Sequence, residues 1–395
     1  MKRIALAAVY EKINYGTVLQ CFALQKVLES QKIDAKVIRR CGIQKLINKN
    51  RRSYYRHHAL DLSLYKAKMG LVFHILRQKT DKRFQNEMNQ RKKAFADFIH
   101  GHISFTEPME DARMLEQHCR DCDAVIVGSD QLWLPVNLYG DFYTLSFIPD
   151  GVKRLSYATS FGVADMNSRE RLIAQNFLKK MDEITVREMS GQKLVHELTD
   201  KTVELVCDPT ILFTAQQWDQ YLKPAQLQNV PENYIFCYFL GKNMESREYA
   251  RKLSRETGLP IVVLRHLDEY IAQDEQFGDV APYDAGPAEF VSLIRNAAYV
   301  CTDSFHGTVF SILYNKIFYT FFRHAQKNRF STNSRIESLL SVAGLEHRLI
   351  SNVDTAPDFG DPIDFDAVNQ RMAAFREESK KILFDMVNND DSDNR

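Results

Sequence analysis

At 395 residues the chain exceeds what one ordinary hydrophobic core encloses, so two domains are expected. Apolar residues make up 45% and charged residues 26%, the balance of a globular fold. A formal net charge of +1 gives no global reason to expect nucleic acid, and no run approaches the roughly 18 consecutive apolar residues of a membrane span.

The start, "MKRIALAAVY", has the Lys2 and Arg3 and the short apolar run of a signal peptide, but the run ends at Glu11 and Lys12. Residues 4–10 therefore read as a first strand, followed by a loop at Asn14-Tyr15-Gly16, a helix over 17–30 and a second strand at 35–39. Short apolar runs at 124–127, 155–158 and 184–186 alternate with helical patterns, notably 168–181 and 191–198. The second half repeats the theme, with strands at 234–239, 260–264, 299–302 and 317–321. Helices are expected at 246–257, 287–296, 308–314 and 336–343. Such alternation predicts an α/β fold built on parallel sheets covered by helices. Prolines and polar residues between Asp208-Pro209 and Pro231 mark the join, giving domains over 1–212 and 213–350. A segment over 351–388, with a helix at 367–386, is expected to pack back on the first domain, and the acidic tail at 389–395 to be disordered.

Between Arg39 and Lys93 sixteen Lys and Arg stand against three Asp and Glu, with apolar residues at helical spacing. This basic insertion, at about 40–100, reads as a solvated helical segment packed on the sheet. Its stretch "LYKAKMGLVFHILRQ" offers a sharper alternative, a surface for anionic lipid or a lipid-linked acceptor at the inner face of a membrane.

The seven cysteines are irregularly spaced, and Cys21, Cys207, Cys237 and Cys301 lie in apolar surroundings that suit small core residues. The one Cys-x-x-Cys, Cys119 to Cys122, has no second pair to complete a zinc site, and His102 and His118 nearby do not supply one. No metal and no cofactor are expected, and a reducing, cytoplasmic setting is.

In open α/β sheets ligands collect at the carboxyl ends of strands, where helix N-termini point outward. Asn14-Tyr15-Gly16-Thr17 follows the first strand there, without the glycine pattern of a dinucleotide or Walker loop. Gly128, Ser129 and Asp130 follow the strand "AVIV", where the carboxylate serves equally as a cap or as a working group. Ser160 and Gly162 follow "LSYAT", and Arg187-Glu188 ends "ITV", either as an anion fork or as an internal ion pair. Asp208-Pro209 reads as a turn, with a hinge as the alternative. Last comes Thr302-Asp303-Ser304-Phe305-His306-Gly307, where Ser304 can cap a helix whose orphan N–H groups face a cleft. His306 there exchanges protons near neutral pH, or merely bonds a neighbouring loop.

Taken in order, "NYGTVLQCFALQ", "VGSDQLW", "LSYATSFG", "VREMSGQ", "CDPTILF", "IFCYFLG" and "TDSFHGTVFSILY" resemble the polysaccharide pyruvyl transferase family, over about residues 4–350. The resemblance implies two Rossmann-like domains in a GT-B-like arrangement with the active site in the interdomain cleft. It also implies transfer of the enolpyruvyl part of phosphoenolpyruvate to two hydroxyls of a sugar in a surface or extracellular polysaccharide precursor, forming a pyruvate ketal. His306 matches the family's proton donor, Arg187 the strand-end arginine that would hold the donor's anionic groups, and Asp130 a group that could receive the acceptor's proton. Asn14, Tyr15, Gly16, Gly128, Ser129, Ser160, Ser304 and Gly307 would line the substrates. The family often carries Ser-Arg-x-His-Gly, whereas here Ser304 takes the arginine's place. The missing guanidinium would have to come from Arg323, Arg329 or Arg335, with Arg335 preferred.

Two rivals stand beside this reading. Asp121-Cys122-Asp123 superficially offers the metal-binding triplet of a nucleotide-sugar glycosyltransferase on the same scaffold, although it precedes its strand and recurs as Asp364-Phe365-Asp366. A non-catalytic glycan-binding protein is the other.

Overall fold

The computed structural model describes residues 1–59, 77, 80–223, 227–266, 271–323, 334–352 and 358–389. The amphipathic stretch at 64–78 apart from Arg77, the loop arginine Arg329 and the tail from 390 onward lie outside the described residues.

Seven strands form the first sheet: β1 (Arg3–Ala7), β2 (Asp34–Arg39), β3 (Phe105–Pro108), β4 (Ala124–Val127), β5 (Lys153–Thr159), β6 (Glu183–Val186) and β7 (Glu204–Leu205). Their order is β3-β2-β1-β4-β5-β6-β7, every pairing parallel. Its helices are α1 (Tyr15–Ser30), α2 (Gln44–His57), α3 (Lys82–His102), α4 (Ala112–Arg120), the single turn α5 (Pro135–Leu138), α6 (Ser168–Leu178) and α7 (Met189–Thr199). All of β4 is buried, as a strand covered by helices on both faces must be, which is why "AVIV" shows no alternation.

The second sheet holds β8 (Ile235–Tyr238), β9 (Ile261–Val263), β10 (Tyr299–Thr302), β11 (Ile317–Phe321) and β12 (Leu349–Ile350), in the order β12-β11-β10-β8-β9, again all parallel. With it run α8 (Ala215–Tyr221), α9 (Met244–Thr257), α10 (Pro287–Asn296), α11 (Phe305–Leu313), α12 (Ser334–Ala343) and a long α13 (Phe365–Asn388). Both orders are those of doubly wound, Rossmann-like domains, and each reverses once: between β1 and β4, and between β8 and β10. At these two points the loops leaving neighbouring strands diverge, which opens space at the carboxyl ends.

The domains meet over an apolar seam, and one hydrophobic cluster runs from Leu6 and Leu24 through Trp218 to Phe236 and Phe310. The Tyr15 ring stacks on Phe290 at 4.6 Å, and its hydroxyl donates to the Ala285 carbonyl at 3.0 Å. Arg91, 2% exposed, spends its guanidinium on the carbonyls of Pro282 and Tyr283. On the other flank the Met189 amide donates to the Ser338 hydroxyl at 3.2 Å. The helix α13 reaches back to the first domain: Ser379 accepts from the Cys207 amide, Arg376 donates to the Ile211 carbonyl, and Lys2 donates to the Val387 carbonyl. No helix among the described residues is long and apolar enough to cross a membrane.

All seven cysteines are free. Burial pushes the Cys119 thiol up to about 12 and the Cys122 thiol to about 11, which favours the thiol over the thiolate. Among the described residues no group of three or more His, Cys, Asp and Glu is placed to hold a metal ion. The triplet Asp121-Cys122-Asp123 lies at the amino end of β4, where Asp123 accepts the Arg3 amide at 2.7 Å. It staples two strand starts at the end of the sheet opposite the strand-end loops where the other polar residues gather.

Candidate active site

Four loops of the first sheet, one of the second and the start of α12 bring their polar residues to the same place. Leaving β4, the chain turns at Asp130, whose φ of +78° lies in the left-handed region that costs a non-glycine residue about 1 kcal/mol or more. This turn lets the Asp130 carbonyl accept the Ser160 amide at 3.0 Å, while the carboxylate swings toward α1 and takes the Thr17 hydroxyl at 2.6 Å. At the end of β6 the Arg187 side chain is 1% exposed and surrounded by carboxylates: Asp208 at 2.6 Å, Asp130 at 3.4 Å and Glu188 at 3.8 Å. Ser129 links two of these groups, donating to Asp208 at 2.7 Å and accepting from Arg187 at 3.2 Å.

From the second domain Ser304 caps α11, its hydroxyl accepting the Gly307 amide at 3.3 Å. The helix therefore starts at Phe305, not at 308, and His306 and Gly307 lie within its first turn. The N–H groups of Phe305 and His306 have no partner among the described residues, as the opening of a helix requires. Gly307 is needed for room, since a β-carbon would sit 2.6 Å from the Thr302 hydroxyl. The His306 ring crosses the seam, with Nε2 3.7 Å from Asp208 Oδ1 and without a hydrogen bond. Gly16 makes this crossing possible: a β-carbon there would overlap His306 Nδ1 at 1.8 Å. At 8% exposure the imidazole is enclosed between the domains but still reaches solvent.

The electrostatics divide the cluster. Burial pushes the Asp208 carboxyl up, but His306, Arg187 and the Ser129 hydroxyl outweigh it and hold Asp208 well below the usual carboxylate range. Asp130 is depressed in the same way, burial being overcome by Arg187, His306 and Thr17. Glu188 goes the other way, because burial raises its carboxyl more than Arg187 lowers it. Arg335, at the start of α12, is 6% exposed, and its Nε has no hydrogen-bond partner. It makes neither a hydrogen bond nor an ion pair among the described residues, and it lies over the Phe305 ring at 5.8 Å, with Arg187 over the same ring at 4.9 Å. Burial, then Arg187 and Arg323, push its guanidinium down to about 9. A buried cation repelled by two others is a built place for an anion.

The positions singled out in the sequence thus fall into three groups. Asp130, Ser129, Arg187, His306, Ser304, Gly307, Gly16 and Arg335 converge. Asn14 caps α1 at the Thr17 amide, Gly128 packs under α1, and Ser160 accepts the Gly162 amide, so these three shape the loops. Tyr15 turns its side chain into the domain seam and away from the cluster. Arg187 is already committed to protein carboxylates, whereas Arg335 has no such partner among the described residues. Asp130, held well below the usual carboxylate range, is poorly suited to take up a proton. Asp208, read in the sequence as a turn, is the hub, 1% exposed and bonded to Ser129, Arg187 and Thr210.

Two Rossmann-like domains with a polar cluster at their junction define a GT-B-like scaffold. The model of one family, polysaccharide pyruvyl transferase, matches residues 14–321, and the chain belongs to that family. Membership makes it a transferase with a sugar or polysaccharide acceptor. Among solved structures it is similar to the UDP-GlcNAc 2-epimerase of Methanocaldococcus jannaschii in complex with UDP-GlcNAc and UDP, at 12% identity and a TM-score of 0.52 over 97% of this chain and 99% of that one. The UDP-N-acetylglucosamine 2-epimerase of Rickettsia bellii is similar at 10% identity and a TM-score of 0.50, over 98% and 97% of the two chains. These likenesses are of fold alone. No curated protein sequence matches the chain.

Proposed function

We propose that the protein transfers the pyruvyl group of phosphoenolpyruvate to two hydroxyls of one sugar unit, releasing phosphate. The observation that carries this reading is Arg335: a buried guanidinium with no acidic partner among the described residues, over the Phe305 ring, in a cluster where the His306 imidazole faces a carboxylate held well below the usual range. Phosphoenolpyruvate brings a phosphate and a carboxylate, and Arg335, Arg323 and the open N–H groups of α11 are the positive charge available to them.

His306 in its imidazolium form, held by Asp208, gives a proton to the methylene carbon and leaves an oxocarbenium-like centre at the carbon bearing phosphate. One sugar hydroxyl adds there, phosphate departs with the bonding electrons, and the second hydroxyl closes the ring on the same carbon. Of the two hydroxyl protons, one restores His306 and the other leaves with phosphate. Glu188, whose carboxyl is raised and whose Oε2 has no hydrogen bond, only the 3.8 Å contact with Arg187, is a better relay for such a proton than Asp130.

The test incubates the protein with phosphoenolpyruvate and candidate sugar acceptors. The expected result is an acceptor heavier by one pyruvate less one water, with phosphate released in equal amount. Addition of a hexose from a nucleotide sugar instead, or the absence of any thermal shift with phosphoenolpyruvate, would overturn the proposal.

A further inference from the structure

A cavity of about 280 Å³ opens beside Asp130 on the first domain, between the loop after β1, helix α2 and the loop leading to α5. Its walls include Lys12, Arg40, Arg51, Tyr55, Asp130 and Asn137. Small-molecule sites run from about 300 to 1,000 Å³, so this one holds a single sugar ring and leaves the rest of a glycan outside.

Its charge is uneven. Arg40 is 3% exposed and satisfied by Glu11 at 3.0 Å and by the Tyr143 hydroxyl at 2.6 Å. Asp130 is satisfied by Thr17 and Arg187. Among the described residues Arg51, from the basic insertion, bonds only the neutral Asn137 amide, at 2.7 Å, and its Nε has no hydrogen-bond partner. Gly140 seats it, for a β-carbon there would come within 3.2 Å of the Arg51 Nε. Among the described residues neither Arg51 nor the exposed Lys12 forms an ion pair, since the two carboxylates of the wall, Glu11 and Asp130, are bonded to Arg40 and Arg187.

We infer that this cavity is the acceptor subsite and that it selects a sugar unit carrying negative charge, either a phosphate-linked sugar or a uronate. The inference rests on the transferase reading above, because Asp130 belongs both to the cavity wall and to the cluster around His306. The exposed Tyr55 ring gives the sugar an apolar face to lie on, as aromatic side chains with a polar tip do.

The experiment measures binding to the full-length protein by calorimetry, without phosphoenolpyruvate, using glucose, glucose 1-phosphate and glucuronate. At least one charged probe is expected to bind tenfold or more tighter than glucose. Arg51→Gln should abolish that preference, Lys12→Ala should weaken it, and Arg335→Gln, which removes the other anion site, should leave it intact. A preference for glucose 1-phosphate points to a phosphate-linked acceptor, and one for glucuronate to an acidic glycan. Equal binding of all three probes, a preference that survives Arg51→Gln, or one lost in Arg335→Gln would overturn the inference. Charged-sugar binding through Arg51 without turnover of phosphoenolpyruvate would leave it standing and count against the donor alone.

Discussion

At the scale of the residue, the cluster holds a buried guanidinium at a cost in stability. The depressed folded value of Arg335 means that at neutral pH the fold bears the cost of a buried charge, a cost that shrinks only above about pH 9. Arg335→Gln should therefore raise the melting temperature of the ligand-free protein by roughly 2–6 °C and abolish the further rise that phosphoenolpyruvate gives the wild type, both read by calorimetry. Asp130 and Asp208 have the opposite sign. Their folded values lie below the ordinary carboxylate value, so the stability they contribute is complete above it and is lost as pH falls through the folded values. Urea midpoints should stay level from neutrality down to about pH 4 and fall below it. Asp208→Asn, which leaves Arg187 and His306 short of a counter-ion, should lower stability by about 3–5 kcal/mol at pH 7 and flatten that acid limb.

At the scale of the element, strand ends decide everything that matters here. Runs such as 299–302 and 317–321 were legible in the sequence because buried parallel strands are continuous in apolar residues, and helix 287–296 because its spacing is regular. The edge strands β7 and β12 were not legible: two residues carry no period. The start of α11 lies three residues before the one apolar spacing gives, because the helix begins directly after its Ser304 cap, a cap that the sequence does show. The hub carboxylate Asp208 was hidden for a different reason, since its partner Ser129 is 79 residues away and only the sheet order makes them neighbours. The facing starts of α1 and α11 yield a sharp prediction. Gly16→Ala must displace the His306 ring, and turnover should fall at least tenfold while the far-UV circular dichroism stays that of the wild type. Unchanged turnover would show that the ring has no fixed place against α1.

At the scale of the whole molecule, two parallel sheets present their carboxyl ends to one seam, and the chemistry is divided between them. The first domain supplies carboxylates, ordered around Arg187; the second supplies the imidazole and the guanidinium left without a partner. The alternation of strands and helices made the α/β class and the position of the strand-end loops legible, but not which loops would face each other, because that depends on the apolar seam around Tyr15 and Phe290. Neither domain alone holds the imidazole, the carboxylate it faces and the guanidinium without an ion pair. The most direct test of this division compares phosphate release from phosphoenolpyruvate, with a competent sugar acceptor, in the wild type and in His306→Ala. Loss of roughly 10²–10⁴-fold in turnover, with phosphoenolpyruvate affinity kept within a few-fold, is the predicted result. Turnover equal to that of the wild type would contradict the assignment of His306 as the acid.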